Sequence, residues 1–147
     1  FLKGACDERI YPIGRLDRNT TGLLLLTNDG DLADRLAHPS NNIRKLYEVT
    51  LDKPITEDHF ESIRKGLELE DGKATVDDLA IADKEGFVLG IELHIGRNRI
   101  VRRIFESLGY SVEKLDRVTY AGLTKKNLPR KHYRHLSQDE INILKRL

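Results

Sequence analysis

Cysteine is nearly absent: Cys6 stands alone among 147 residues, so the chain holds no internal disulfide framework and no thiolate cluster for zinc. A lone thiol suits a reducing compartment, and a cytoplasmic location is the expectation. Long apolar runs are missing as well. The longest, Leu23-Leu24-Leu25-Leu26, has the length of a strand and falls far short of the roughly 20 residues of a membrane span, so no membrane partner is expected. The opening Phe1-Leu2-Lys3-Gly4-Ala5-Cys6 lacks the apolar core of a signal peptide and reads as a segment of a longer chain. His38, His59, His94, His132 and His135 fit no metal-ligand spacing, and the last two lie in a Lys/Arg-rich tract that disfavours a bound cation. There is no glycine-rich phosphate loop ahead of a helix and no Gly-x-Ser-x-Gly turn. Neither a metal nor a cofactor is implied. With no internal repeat and no low-complexity linker, residues 1–147 read as one domain, long enough to bury roughly two thirds of its unfolded surface.

What is present is a segregated charge. Residues 1–96 carry 12 Lys and Arg against 19 Asp and Glu, a balance of −7, whereas residues 97–134 carry 11 against 3, a balance of +8. Clustered cations attract phosphate backbones through counterion release, so the second segment is a candidate nucleic-acid footprint. A scattered, solvated surface would explain the same composition, and charge alone divides the two readings evenly.

Periodicity gives a coarse series of elements. Residues 10–13 are extended, a Gly-Arg-Leu-Asp turn follows, and four consecutive leucines in Gly22-Leu23-Leu24-Leu25-Leu26-Thr27 suggest a strand buried on both faces. Asn28-Asp29-Gly30 signals a turn into a short helix with an apolar stripe of Leu32, Ala33, Leu36 and Ala37, stopped by Pro39. Residues 45–51 alternate as a half-buried strand; Thr56 can cap a helix presenting Phe60, Ile63 and Leu67; and a hairpin is expected at Glu70-Asp71-Gly72-Lys73. Residues 87–95 form a strand, 98–108 a basic helix ended by Gly109, and 112–120 another strand. Ser137-Gln138-Asp139-Glu140 is a capping-box pattern opening a helix with Ile141 and Leu144. Strands interleaved with short helices, partly through hairpins, predict an α+β fold with a mixed, mainly antiparallel sheet.

Three motifs could carry chemistry. In Gly14-Arg15-Leu16-Asp17-Arg18-Asn19-Thr20-Thr21-Gly22, a carboxylate sits in a polar turn just before a buried strand, where a rigid scaffold can aim it into a cleft. An Asp that only accepts hydrogen bonds from its own turn is the commoner case, and residue chemistry alone favours it. In Lys45-Leu46-Tyr47, the tyrosine could simply pack in the sheet. In Gly96-Arg97-Asn98-Arg99-Ile100-Val101-Arg102-Arg103-Ile104-Phe105-Glu106, helical geometry groups Arg99, Arg102 and Arg103 on one side. Ile100, Val101, Ile104, Phe105 and Leu108 fall opposite them. Glu106 would neutralise part of that cationic face, and an excess would remain for phosphate or carboxylate.

The first string, continued through Leu23-Leu24-Leu25-Leu26-Thr27-Asn28-Asp29-Gly30, resembles the catalytic motif of the RsuA-type pseudouridine synthases, which modify ribosomal RNA, and the resemblance runs over nearly the whole chain. It implies an isomerase that turns a uridine of ribosomal RNA, free or in a pre-ribosomal particle, into pseudouridine. By that resemblance Asp17 is the catalytic carboxylate, and Arg15 helps hold the substrate strand around a flipped nucleotide. Tyr47 would stack on the target base and assist removal of the C5 proton, since a flipped pyrimidine needs an aromatic face to replace its lost neighbours. Arg102 would pair with Asp17 and aim its carboxylate, while Lys45, Arg97, Arg99 and Arg103 would contact RNA. Many relatives have Gln where this chain has Ile100, which predicts altered packing there. Relatives commonly also carry a small RNA-binding S4 domain and a first strand ahead of this segment, and the expectation is that residues 1–147 hold neither.

Two other readings remain. A non-catalytic RNA-binding module would be favoured by loss of Asp17, Tyr47 or Arg102, all of which are present. A glycoside hydrolase would need a second carboxylate near the first, with Asp29 or Asp31 as candidates, although both sit at a helix start where acidic residues have structural work.

Overall fold

The computed structural model describes residues 9–38 and 42–147, which leaves Cys6 and the helix stop expected of Pro39 outside the described residues. The chain begins with three two-residue strands, β1 (Tyr11–Pro12), β2 (Thr21–Gly22) and β3 (Leu26–Thr27), followed by α1 (Gly30–Ala37). Asp29 caps α1 by accepting a hydrogen bond from Leu32 N at 3.0 Å. Next come β4 (Lys45–Leu51) and α2 (Glu57–Lys65), which Thr56 caps and Gly66 ends at φ +96°. The expected hairpin is β5 (Leu67–Leu69) with β6 (Gly72–Ala74), and β7 (Asp78–Ile81) and β8 (Val88–Leu93) follow. Helix α3 (Ile100–Glu106), β9 (Val112–Tyr120), β10 (Leu123–Thr124) and α4 (Gln138–Lys145) complete the series, α4 with the full reciprocal capping box of Ser137 and Glu140.

The main sheet runs β10-β9-β4-β8-β7, antiparallel throughout, with β2 added to β9 as its one parallel pair. The mixed, mainly antiparallel α+β sheet read from the sequence is borne out. Period-two alternation fixes what each strand turns inward: Val49 and Leu51 of β4, Leu89, Ile91 and Leu93 of β8, and Leu79 of β7 meet Ile63 of α2 and Ile104 and Phe105 of α3 in one buried cluster. A second cluster joins Ile13, Leu23 and Leu25 to Ala33 and Leu36 of α1, Tyr120 of β9 and Leu144 of α4.

The leucine run departs from expectation. Leu23 and Leu25 are buried, but Leu24 and Leu26 are 38% and 36% exposed, so the run alternates and is not buried on both faces. It is also not one strand. Its start docks on β9, with Leu23 N donating to Arg117 O at 2.8 Å, and its end turns to β1, where Ile13 N donates to Leu25 O at 2.8 Å. The two ends satisfy their backbone groups with different partners, which breaks the strand between them.

Candidate active site

A cleft of about 340 Å³ opens at the seam between the two apolar clusters, within the usual range of roughly 300–1,000 Å³ for small-ligand sites. The same alternation that builds the core leads into it. Beyond Val49 on β4, the next residues on that face are Tyr47 and Lys45; beyond Leu93 on β8 comes Ile95; all three line the cleft. From β9 come Leu115, Arg117 and Tyr120. Arg117 and Tyr120 are three positions apart and would ordinarily face opposite ways. The β4–β9 register slips at this point, Leu46 pairing with Thr119 but Tyr47 with Arg117, so Val118 is an extra residue. That bulge brings both side chains to the cleft.

Asp17 reaches the cleft from a turn closed by Thr20 N donating to Asp17 O at 2.9 Å. The turn is moored immediately downstream, where β2 lies parallel to β9 with Gly22 opposite Arg117. A Cβ on Gly22 would sit 2.3 Å from Arg117 O and 2.4 Å from Arg117 N, and the residue holds φ +120°, so only glycine permits this approach. Thr21 Oγ1 donates to Asp116 Oδ1 at 2.7 Å, and the Lys125 ammonium bonds the other carboxylate oxygen. Burial pushes the Asp116 carboxyl up, but the bonds from Lys125 and Thr21 and the charges of Lys125 and Arg130 outweigh it, so the net direction is down.

The arginines of the third motif do not form one face. Arg99 precedes α3 in the left-handed region at φ 51°, which takes it off the helical wheel, and its Nη1 lies 3.9 Å from Asp17 Oδ2. Arg102 is 7% exposed, buried with Ile100, Val101, Ile104 and Phe105. Its Nη2 donates to Asn19 O at 2.7 Å and its Nη1 to Val112 O at 3.4 Å. The expected Arg102–Asp17 ion pair is therefore not formed: Arg102 holds the backbone of the turn that carries Asp17, and Arg99 is the cation nearest the carboxylate. Arg103 points elsewhere, donating to Asn98 O and, at 2.9 Å, to Asp71 Oδ1 at the β5–β6 hairpin tip. Arg97 bonds the same Asp71 Oδ1 at 3.0 Å and Lys73 O at 2.7 Å while still lining the cleft. The counter-charge in this region is Asp71, not the Glu106 that helical spacing suggested, and Arg103 stands outside the cleft lining. Ile100 is buried and lines the cleft, in keeping with packing in place of a polar contact.

Arg15, Asp17, Lys45, Tyr47, Arg97, Arg99 and Arg102 all line this one space, so residues up to 87 positions apart in sequence converge. Among the described residues Asp17 is the only carboxylate in the lining, against six Lys and Arg side chains. Asp29, the alternative second carboxylate, is engaged as the α1 cap.

Arg117 lies outside all three motifs. It is 4% exposed, donates from Nε to Leu23 O at 2.9 Å, and lies over the Tyr120 ring at 5.1 Å. The signal was in the alternation: position 117 follows Leu115 on the inward face of a strand, where an arginine is out of place unless the site needs it. Its neighbour Lys45 has its pKa lowered by burial and further by the Arg117 charge. Burial pushes the Tyr120 hydroxyl up, with Arg117 opposing.

Comparison with known proteins gives this geometry a context. Over 143 residues the chain is 41% identical to ribosomal large subunit pseudouridine synthase B of Vibrio cholerae, covering 95% of this chain and 44% of that protein. It is 39% identical over 144 residues to the Bacillus subtilis protein of the same name, covering 95% and 59%. The chain thus spans about half the length of the curated relatives it matches. A crystal structure of a pseudouridylate synthase superposes with a TM-score of 0.79 at 32% identity, covering 92% of this chain and 59% of that one. Residues 3–107 match the family model of the RNA pseudouridylate synthases, and the chain belongs to that family.

Proposed function

We propose that residues 1–147 form the catalytic domain of an RNA pseudouridine synthase that isomerises a specific uridine of ribosomal RNA, free or in a pre-ribosomal particle, with Asp17 as the catalytic carboxylate. The observation that carries this is the lining of the cleft, where among the described residues one carboxylate, Asp17, stands with two tyrosines and six cations. The reaction breaks the C1′–N1 bond, turns the base while it stays bound, and joins C5 to C1′. It needs a carboxylate beside the sugar, a surface that retains the loose base, and cations for the flanking phosphates. Asp17 fills the first role and Tyr47 the second. Arg15, Arg97 and Arg99 suit the third, and Lys45 lies deeper in the same cleft. Arg102 works as a positioning residue through the Asn19 carbonyl, and Arg103 as an anchor of the hairpin.

The test uses ribosomal RNA from cells lacking the protein as substrate. Asp17→Asn in the full protein should lower turnover by more than about a thousandfold while RNA affinity stays within a few fold. Mapping pseudouridines with and without the gene identifies the uridine. Wild-type turnover in the Asp17→Asn protein refutes the assignment.

A further inference from the structure

Two cations lining the cleft have no counter-charge among the described residues. Lys45 and Arg117 stand on adjacent strands, close enough for the Arg117 charge to depress the lysine, and neither has a carboxylate within 4.0 Å among the described residues. The Arg117 guanidinium lies over the Tyr120 ring and is hydrogen-bonded by Nε, and its Nη2 is buried without a hydrogen-bond partner among the described residues. Two like charges taken out of water without an anion between them are costly, and the cost falls when an acceptor carrying negative charge enters. These groups are donors only, and they share the cleft with Tyr47 and Asp17.

We propose that Lys45 and Arg117 form the site for the carbonyl oxygens of the uracil, taking up the negative charge the base acquires when it detaches from the sugar. The proposal rests on the pseudouridine synthase reading. As C1′–N1 breaks, the electron pair leaves with N1, and the base carries one negative charge spread over N1, O2 and O4. The pair returns when C5 bonds C1′; the proton on C5 is then released, and N1 takes one up. Charge on O2 and O4 is greatest between those steps, so the two cations bind the detached base more strongly than the attached one. That difference accelerates the reaction. A phosphate on the RNA backbone is the poorer occupant, because Arg117 is only 4% exposed.

The experiment measures single-turnover rate at saturating RNA, RNA affinity, and the slope of affinity against salt for Lys45→Met, Arg117→Met and Arg117→Lys, with ribosomal RNA from cells lacking the protein. Lys45→Met and Arg117→Met should each lose about a hundredfold in rate, the scale of one oxyanion donor, with affinity within threefold and an unchanged salt slope. Arg117→Lys should recover part of the rate, because it keeps the cation while losing the tether to Leu23 and the planar contact with Tyr120. Lys45 has no side-chain hydrogen bond to lose among the described residues, so Lys45→Met decides the matter even if Arg117→Met does not fold. A rate within threefold of wild type for Lys45→Met overturns the proposal. So does a loss in affinity with a shallower salt slope, which would mean a phosphate contact, or an Arg117→Lys protein as slow as Arg117→Met beside a normal Lys45→Met. If the wild-type protein makes no pseudouridine at all, the underlying reaction is wrong; if it does and these variants keep pace, only the uracil site is.

Discussion

Arg102→Met separates a residue that acts through the backbone from one that touches the reacting groups. The substitution keeps the apolar stem of a side chain that is buried on α3 and removes the guanidinium. What is lost is the 2.7 Å bond to Asn19 O; the 3.4 Å contact with Val112 O is too long to count for much. A hydrogen bond from a charged donor is worth about 1.5–3 kcal/mol, and here its loss strands a carbonyl in a part-buried turn. Arg102→Met should therefore destabilise the protein by about 2 kcal/mol, lowering Tm by roughly 4–8 °C at this chain length. The Thr20 amide, which donates to Asp17 O, should lose exchange protection. Arg99→Ala should behave differently. Its side chain is 45% exposed and its contact with Asp17 is 3.9 Å, so stability should change by less than about 0.5 kcal/mol while turnover falls. Urea denaturation, amide exchange and single-turnover rates on both variants decide between them. Wild-type stability and Thr20 protection in Arg102→Met, together with lost turnover, would refute the positioning role and return Arg102 to the carboxylate.

Two further outcomes follow from the packing. Gly22→Ala would force a Cβ to within 2.8 Å of three Arg117 backbone atoms, so β2 must leave β9. A loss of at least about 2 kcal/mol is expected from strain and lost pairing, with the Leu23 amide deprotected and turnover reduced; a wild-type urea midpoint would contradict this. At the other end, Arg134 and the Ser137 backbone hold the Glu140 carboxyl down from its usual 4.5 to about 2. A depressed acid stabilises the fold above its unfolded pKa and loses that contribution as pH falls through the folded one, so α4 should loosen between pH 4.5 and 2. In an NMR titration, Arg134→Ala should move Glu140 back toward the ordinary range.

Much of the fold was legible because local signals and tertiary demands agreed. Thr56, Ser137 and Asp-Gly at the hairpin mark the same boundaries in sequence and in space, and β4 matches its alternating stretch, and β9 its expected strand, to the residue. The leucine run was misread because continuous apolarity does not say which partner satisfies each backbone group. Leu23 bonds to β9 and Leu25 to the segment beside β1, and neither partner is visible locally. Strands β7 and β10 were passed over for a related reason, since four and two residues carry almost no periodic signal.

The site shows the same division. All three motifs converge on one cleft, so the residues were found, but the arginine roles turn on features that spacing does not encode. Helical angles placed Arg99 and Arg102 together only if Arg99 was helical, and its φ of 51° breaks that premise. Asp71 claims Arg97 and Arg103 from 26 and 32 residues away. Arg117 and Tyr120 face the same way only because of one bulge at Val118. That bulge also ties geometry to chemistry. Restoring regular alternation there would turn either the guanidinium or the tyrosine out of the cleft, while leaving most of the sheet intact. A residue inserted in β4 between Leu46 and Tyr47 gives Val118 a partner, so it should keep the antiparallel pairing up to Leu115 while turning Arg117 and Tyr120 to opposite faces; a wild-type single-turnover rate in that variant would refute the dependence of the cleft on a register slip that the hydrophobic core does not require.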